Sequence, residues 1–108
     1  MDLHFLRMEK ATAHLEIAER RFDLVAKEVS RGNYSADLMV DGVSVLGSEG
    51  HEMMRERPLT GSLKTAKAEA ETLLWFYLRL HTIEWPTGVK IEWSFKIEWD
   101  MKKRGASG

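Results

Sequence analysis

Residues 89–101 alternate without a break. Val89, Ile91, Trp93, Phe95, Ile97, Trp99 and Met101 are apolar, and Lys90, Glu92, Ser94, Lys96, Glu98 and Asp100 between them are polar. Successive side chains on a strand point to opposite faces, so this pattern predicts a strand with one apolar and one solvated face. Such a face must be covered, which requires helices or a second layer elsewhere in the chain. A segment of this length would extend about 40 Å at ~3.3 Å per residue. Strands are usually ~5–6 residues long, so a bend or bulge is expected within it. Ile83-Glu84-Trp85 is expected to pair with it through the turn residues Pro86-Thr87-Gly88. The triplet Ile-Glu-Trp recurs at 83, 91 and 97, but its unequal intervals make it shared strand composition rather than a repeat.

Upstream, Met8, Ala11, Leu15, Ala18, Phe22, Val25 and Val29 recur at steps of three and four. That spacing predicts an amphipathic helix over residues 6–31, closed by Gly32-Asn33 as a left-handed cap. Asp41-Gly42 is a hairpin-turn signal flanked by the strand segments 34–40 and 43–46. Gly47 to Gly50 reads as a loop, and residues 51–57 are open among a loop, a helical turn and a third strand. A second helix is predicted from Ser62, with Leu63, Ala66, Ala70, Leu73, Tyr77 and Leu80 on one stripe. The apolar run Leu73–Leu78 is expected to be buried on several sides. The expected fold is therefore a two-layer α+β domain over residues 1–101, in the order α-β-β-α-β-β. Two amphipathic helices would pack on a mostly antiparallel sheet, with a flexible polar tail at 102–108. Phe22, Leu73, Phe76, Ile91, Trp93 and Ile97 are the expected core.

Composition narrows the function. The chain has 108 residues, no cysteine and a formal net charge of −1. The absence of cysteine removes disulfides, thiol nucleophiles and thiolate-bound zinc. Near-neutral charge gives no general attraction to nucleic acid or to an anionic membrane. No apolar run approaches the roughly 20 residues of a membrane span, and the N-terminus lacks a signal-peptide pattern, so a cytoplasmic location is expected. His51-Glu52 begins a zincin-like motif, but Arg55 stands where the second histidine would be. His4, His14, His51 and His81 have no metal-ligand spacing, and Glu16 and Glu19 have no Glu-x-x-His partner. No nucleophile elbow, phosphate-binding loop or dinucleotide glycine pattern is present. The expectation is a protein that is not an enzyme, with no cofactor and no metal.

One polar constellation has binding chemistry. Arg55, Arg57, Ser62, Lys64 and Lys67 surround the start of the second predicted helix, whose free amides and positive partial charge would favour an anion. Gly61-Ser62-Leu63-Lys64-Thr65-Ala66-Lys67-Ala68-Glu69-Ala70 resembles the last helix of a double-stranded-RNA-binding domain. In that family a Gly-Ser-Lys-Lys-x-Ala-Lys segment places lysines on phosphates. Lys64 and Lys67 match, Leu63 replaces one lysine, and the strands predicted after the helix depart from a family in which that helix is terminal. The resemblance implies RNA phosphate as a ligand; a nucleotide is the other anion considered.

The tryptophans point elsewhere. Aromatic side chains dominate protein interfaces as well as cores, and Trp93, Phe95 and Trp99 share one face of the alternating segment. The second predicted helix spans only ~28 Å, so part of that face would be left for another chain. The leading expectation is a small interaction protein acting as a binding or inhibitor module on a protein partner, and itself a homodimer. By analogy alone, this character is similar to that of small phage accessory and anti-defence proteins. The alternative is an anion-binding module at the start of the second helix.

Overall fold

A computed structural model of the chain describes residues 6–45 and 59–100. The elements are β1 (Leu6–Ile17), β2 (Arg20–Ser30), β3 (Asn33–Val40), β4 (Val43–Ser44), α1 (Leu63–Leu80) and β5 (Ser94–Asp100). The strands make one antiparallel sheet in the order β4-β3-β2-β1-β5. The first four form a meander, and after α1 the chain returns to add β5 beside β1. This is an α+β arrangement, but not in the expected α-β-β-α-β-β order. Among the described residues there is one helix, and the region read as the first helix is β1 and β2.

The correction has a geometric cause. The buried residues are Ala11, Ala13, Leu15 and Ile17 in β1 and Phe22, Leu24 and Ala26 in β2, every second position in each strand. Ile17 pairs with Arg20, so the turn at Ala18-Glu19 switches the inward-facing positions from odd to even numbers. Sampling both strands across that switch imitates a helical stripe, because Ala11, Leu15 and Phe22 belong to both patterns. Other members of the stripe lie outside the core: Ala18 is in the turn, Val25 pairs with Thr12 on the opposite sheet face, and Val29 is 41% exposed. Ala18 and Glu19 have φ of 54° and 64°. Positive φ at both central residues is the hairpin turn that suits strand twist, usually written Asn-Gly or Asp-Gly. Neither residue advertises it. Gly32-Asn33, read as a helix cap, instead carries the chain from β2 to β3, with Gly32 at φ 78°.

Other elements follow their sequence signals. Asp41 and Gly42 take φ of 52° and 86° and join β3 to β4. Asp41 also closes on Arg21, its amide donating to the Arg21 carbonyl at 2.8 Å and its Oδ1 accepting from the Arg21 amide at 2.9 Å. Ser62 caps α1, its hydroxyl oxygen accepting from the Thr65 amide at 3.1 Å. The helix buries Ala66, Ala70, Leu73, Leu74, Tyr77 and Leu78 against β2 and β3. Leu80, expected on that stripe, is 48% exposed. Small residues line both layers of the cluster, with Ala26 and Ala36 paired across β2 and β3 and Ala66 and Ala70 on α1. Each fully buried leucine or phenylalanine in it contributes about 1.5–3 kcal/mol. This helix is not long and apolar enough to cross a membrane.

The long alternating strand is shorter than expected. Of its described residues, 89–100, only Ser94–Asp100 is strand, paired with β1 from Thr12↔Ser94 to Leu6↔Asp100. Ile83–Trp85 does not pair with it as a strand. Instead Ile83, Trp85, Val89, Ile91 and Trp93 lie in an irregular strap, half-buried against the core cluster. Its alternation still separates a covered side from a wet one, without ladder pairing. Of the expected core, Phe22 and Leu73 are buried, Phe76 is 41% exposed, and Ile91, Trp93 and Ile97 are half-buried. The strand segment beyond 45, the loop at 47–50, the ambiguous segment 51–57 and the tail at 102–108 lie outside the described residues.

A polar corner closes the core at the far end of β1. The Tyr34 hydroxyl donates to Glu9 Oε1 at 2.8 Å, Arg7 lies 3.7 Å from Glu9, and Glu28 accepts from the amides of Glu9 and Gly32. The Tyr34 phenol is pushed from 10.0 up to about 12, first because only its protonated form donates to Glu9, then by burial and by the Glu28 charge. A raised folded pKa stabilises below the unfolded value and is lost as pH rises through the folded one. The stability difference between the native protein and Tyr34→Phe is therefore expected to hold constant up to about pH 10 and to narrow toward pH 12, as read by urea unfolding across that range. A separate expectation concerns the β1–β2 turn. Ala18→Asn with Glu19→Gly should stabilise the fold by about 1 kcal/mol, because these residues adopt positive φ at lower cost. An unchanged or lowered denaturation midpoint would contradict it.

Candidate interaction surface

The C-terminal half of α1 carries a second apolar stripe on its outer side. Thr72, Trp75, Phe76 and Arg79 recur at steps of three, one and three, which places them on one helical face. Trp75 is 45% and Phe76 41% exposed, so the run Leu73–Leu78 is buried on its inner side alone. Leu73, Leu74, Tyr77 and Leu78 face the sheet, where Tyr77 meets Phe22 edge-on at 5.5 Å and accepts from Arg20 Nη1 at 2.6 Å.

The helix end then folds the chain back toward that stripe. Thr82 takes φ 55°, its amide donating to the Arg79 carbonyl at 3.2 Å, and the Ile83 amide donates to the Leu78 carbonyl at 2.8 Å. This pair of bonds is a Schellman cap, usually built on glycine. It sends residues 83–93 back alongside α1. Trp85 lies against Trp75 with ring centres 4.6 Å apart, and the Trp93 indole donates to Glu71 Oε2 at 2.8 Å. The Lys67 ammonium sits 5.6 Å from the Trp93 ring centre. Lys67, Glu71 and Trp75, four apart, thus form the helix side of one seam. The Trp85 indole donates to the Val89 carbonyl at 3.0 Å, which fixes the turn at Pro86–Gly88. Between helix and strap lies an open cleft of about 400 Å³, lined by Trp75, Phe76, Arg79, Ile83 and Trp85 among others.

The residues predicted from sequence separate into different places. Trp93 belongs to the helix–strap seam, half-buried. Phe95 and Trp99 lie on the helix side of β5, opposite Ala11 and Arg7, and are 55% and 56% exposed. Of the anion constellation, Arg55 and Arg57 lie outside the described residues. Ser62 is engaged as the helix cap and also donates to Thr65 Oγ1 at 2.9 Å; Lys64 is exposed; Lys67 leans on Trp93.

Sequence reasoning missed a pair on the opposite, open face of the sheet. His14 and Asp23 are direct cross-strand partners joined by a hydrogen bond, and Arg21 lies 3.3 Å from the same carboxylate. Their relation depends on β1 pairing with β2, and a helix over this region does not bring them together. His14 is largely exposed, so the pair reads as an exposed cross-strand hydrogen bond of modest energy. Among the described residues no group of three or more histidine, aspartate or glutamate side chains is arranged to hold a metal ion. Compared with protein-family models, curated proteins and solved structures, the chain matches none.

The cap that forms the cleft is strained at a β-branched residue. Thr82→Gly should stabilise the protein by about 1 kcal/mol, since glycine accepts positive φ where threonine does not. Thermal unfolding should show a higher midpoint for this variant, and a lower one would mean that the threonine side chain is itself needed.

Proposed function

We propose that this chain is a small non-enzymatic interaction protein, a binding or inhibitor module whose contact surface is the cleft between the C-terminal half of α1 and the strap. The observation that carries this reading is the exposure of Trp75 and Phe76 beside Trp85 and Arg79 in an open cleft. Tryptophan and arginine are the residue types that dominate binding energy at protein interfaces. Trp75 is held by Trp85, so little side-chain freedom remains to be lost on binding. The chemistry fits a protein partner that inserts a large apolar side chain next to a carboxylate for Arg79. The inhibitor character rests on analogy with small phage accessory proteins.

Anion binding by Arg55, Arg57, Ser62, Lys64 and Lys67 has less in its favour. The Ser62 hydroxyl is committed to its cap, and the Lys67 ammonium to Trp93.

The test compares capture of a partner from cell lysate, with and without nuclease, by the native protein and two double variants. Phe76→Ala with Arg79→Ala is expected to lose the partner at least tenfold while unfolding within a few degrees of native, as both residues are exposed in the cleft and neither belongs to the helix–strap seam. Lys64→Glu with Lys67→Glu should retain it. Loss of the partner on nuclease treatment, or retention by the cleft variant, would overturn the reading.

A further inference from the structure

We infer that two copies of this chain join by antiparallel pairing of their β5 strands about Ile97, so that two five-stranded sheets become one of ten. This uses a different surface from the cleft and does not depend on it. Among the described residues β5 is the terminal strand of the sheet, paired on one side with β1. The opposite edge is less available: β4 has only two residues, and Thr60 exchanges two hydrogen bonds of 2.8 and 2.9 Å with Tyr34 farther along β3. An open edge strand is a template for another chain.

The side chains select one register. In a symmetric antiparallel pair the two-fold axis is normal to the sheet and passes midway between one residue and its own copy, and paired side chains share a face. Centring on Ile97 overlaps all seven residues of β5. Lys96 then faces the second copy's Glu98, and this happens twice. Phe95 faces Trp99 twice. Centring on Lys96 or on Glu98 sets like charges directly opposite, and centring on Trp99 overlaps only residues 98–100. Centring on Phe95 overlaps only residues 94–96. Like charges in directly opposed positions destabilise a sheet, and opposite charges and aromatic pairs stabilise it.

Both faces of the edge are suited to this join. On the open face Lys27, Lys10 and Lys96 stand in a row across β2, β1 and β5. Glu98 lies 3.9 Å from Lys10 and 3.2 Å from Lys96. A second Glu98 opposite Lys96 adds negative charge where that row ends. On the helix side Phe95 and Trp99 flank Ile97, and pairing brings six apolar side chains into one patch. Both helices then lie on the same side of the joined sheet.

The experiment measures mass by light scattering over a concentration series and reads register by cross-linking. The native protein is expected at twice the 12.4 kDa chain mass at tens of micromolar. Lys96→Glu and Glu98→Lys should each shift dimerisation at least tenfold toward monomer, with unchanged far-ultraviolet dichroism. Mixing the two single variants should restore dimers, because each introduced acid then faces an introduced lysine; the double swap in one chain should do the same. The chain has no cysteine, so Ile97→Cys gives a second readout. Its thiol would face its own copy at the Cα separation of a directly opposed pair, ~4.5–5.5 Å, within disulfide reach. It should oxidise to a covalent dimer, whereas Ser35→Cys on β3 should not. A native protein that stays at the monomer mass overturns the inference. So does a dimer that is indifferent to the charge reversals or fails to cross-link through Ile97→Cys.

Discussion

One helix has to cover a five-stranded sheet, and it is too narrow. A helix with its side chains is ~10 Å across, while adjacent strands lie ~4.8 Å apart, so α1 spans about two of them. It sits over β2 and β3, where the largest buried side chains lie. The remaining width of the sheet explains the rest of the molecule. The strap at 83–93 adds Ile83, Trp85, Val89, Ile91 and Trp93 to the core cluster. β5 lies farther out, and its helix-side residues Phe95 and Trp99 remain more than half exposed.

Because the strap runs back along α1, the helix is gripped on two sides. Its inner stripe meets the sheet through Leu73, Leu74, Tyr77 and Leu78, and its flank meets the strap through Lys67, Glu71 and Trp75. The two tryptophans of the strap keep their indole donors satisfied, one on Glu71 and one on the Val89 carbonyl. Among the described residues no buried side-chain polar atom lacks a partner. That satisfaction lets tryptophan sit at a half-buried boundary without the cost of a stranded N–H. The outer aromatic stripe is left over from this arrangement, and it is the chemically distinctive surface of the molecule.

Parts of this were legible in the residues alone. Asp41-Gly42 announces its hairpin because both positions need positive φ, and Ser62 announces a helix start because its hydroxyl replaces a missing amide partner. The alternation at Ser94–Asp100 reads directly as strand. The region 6–31 misleads because Ala18-Glu19 turns without turn residues, and because strands of opposite parity on either side imitate a helical stripe. Among the site residues, the importance of tryptophan is visible in composition, but the outward position of Trp75 and Phe76 is not. An apolar run on a helix looks the same whether or not a second layer covers its far side.

The sequence by itself determined the local geometry that single residues or dipeptides impose: turns, caps and alternation, each set by sterics or by one missing hydrogen bond. It also determined that some apolar face of a sheet would need covering. Only the tertiary structure decided that β1 and β2 are strands, that the alternating segment joins the sheet at Ser94, and that α1 leaves two aromatic residues partly exposed. Those outcomes depend on which elements compete for a limited covered area. Burial is a property of the packed layers, and the same apolar residue satisfies several local patterns until its neighbours across the fold are in place.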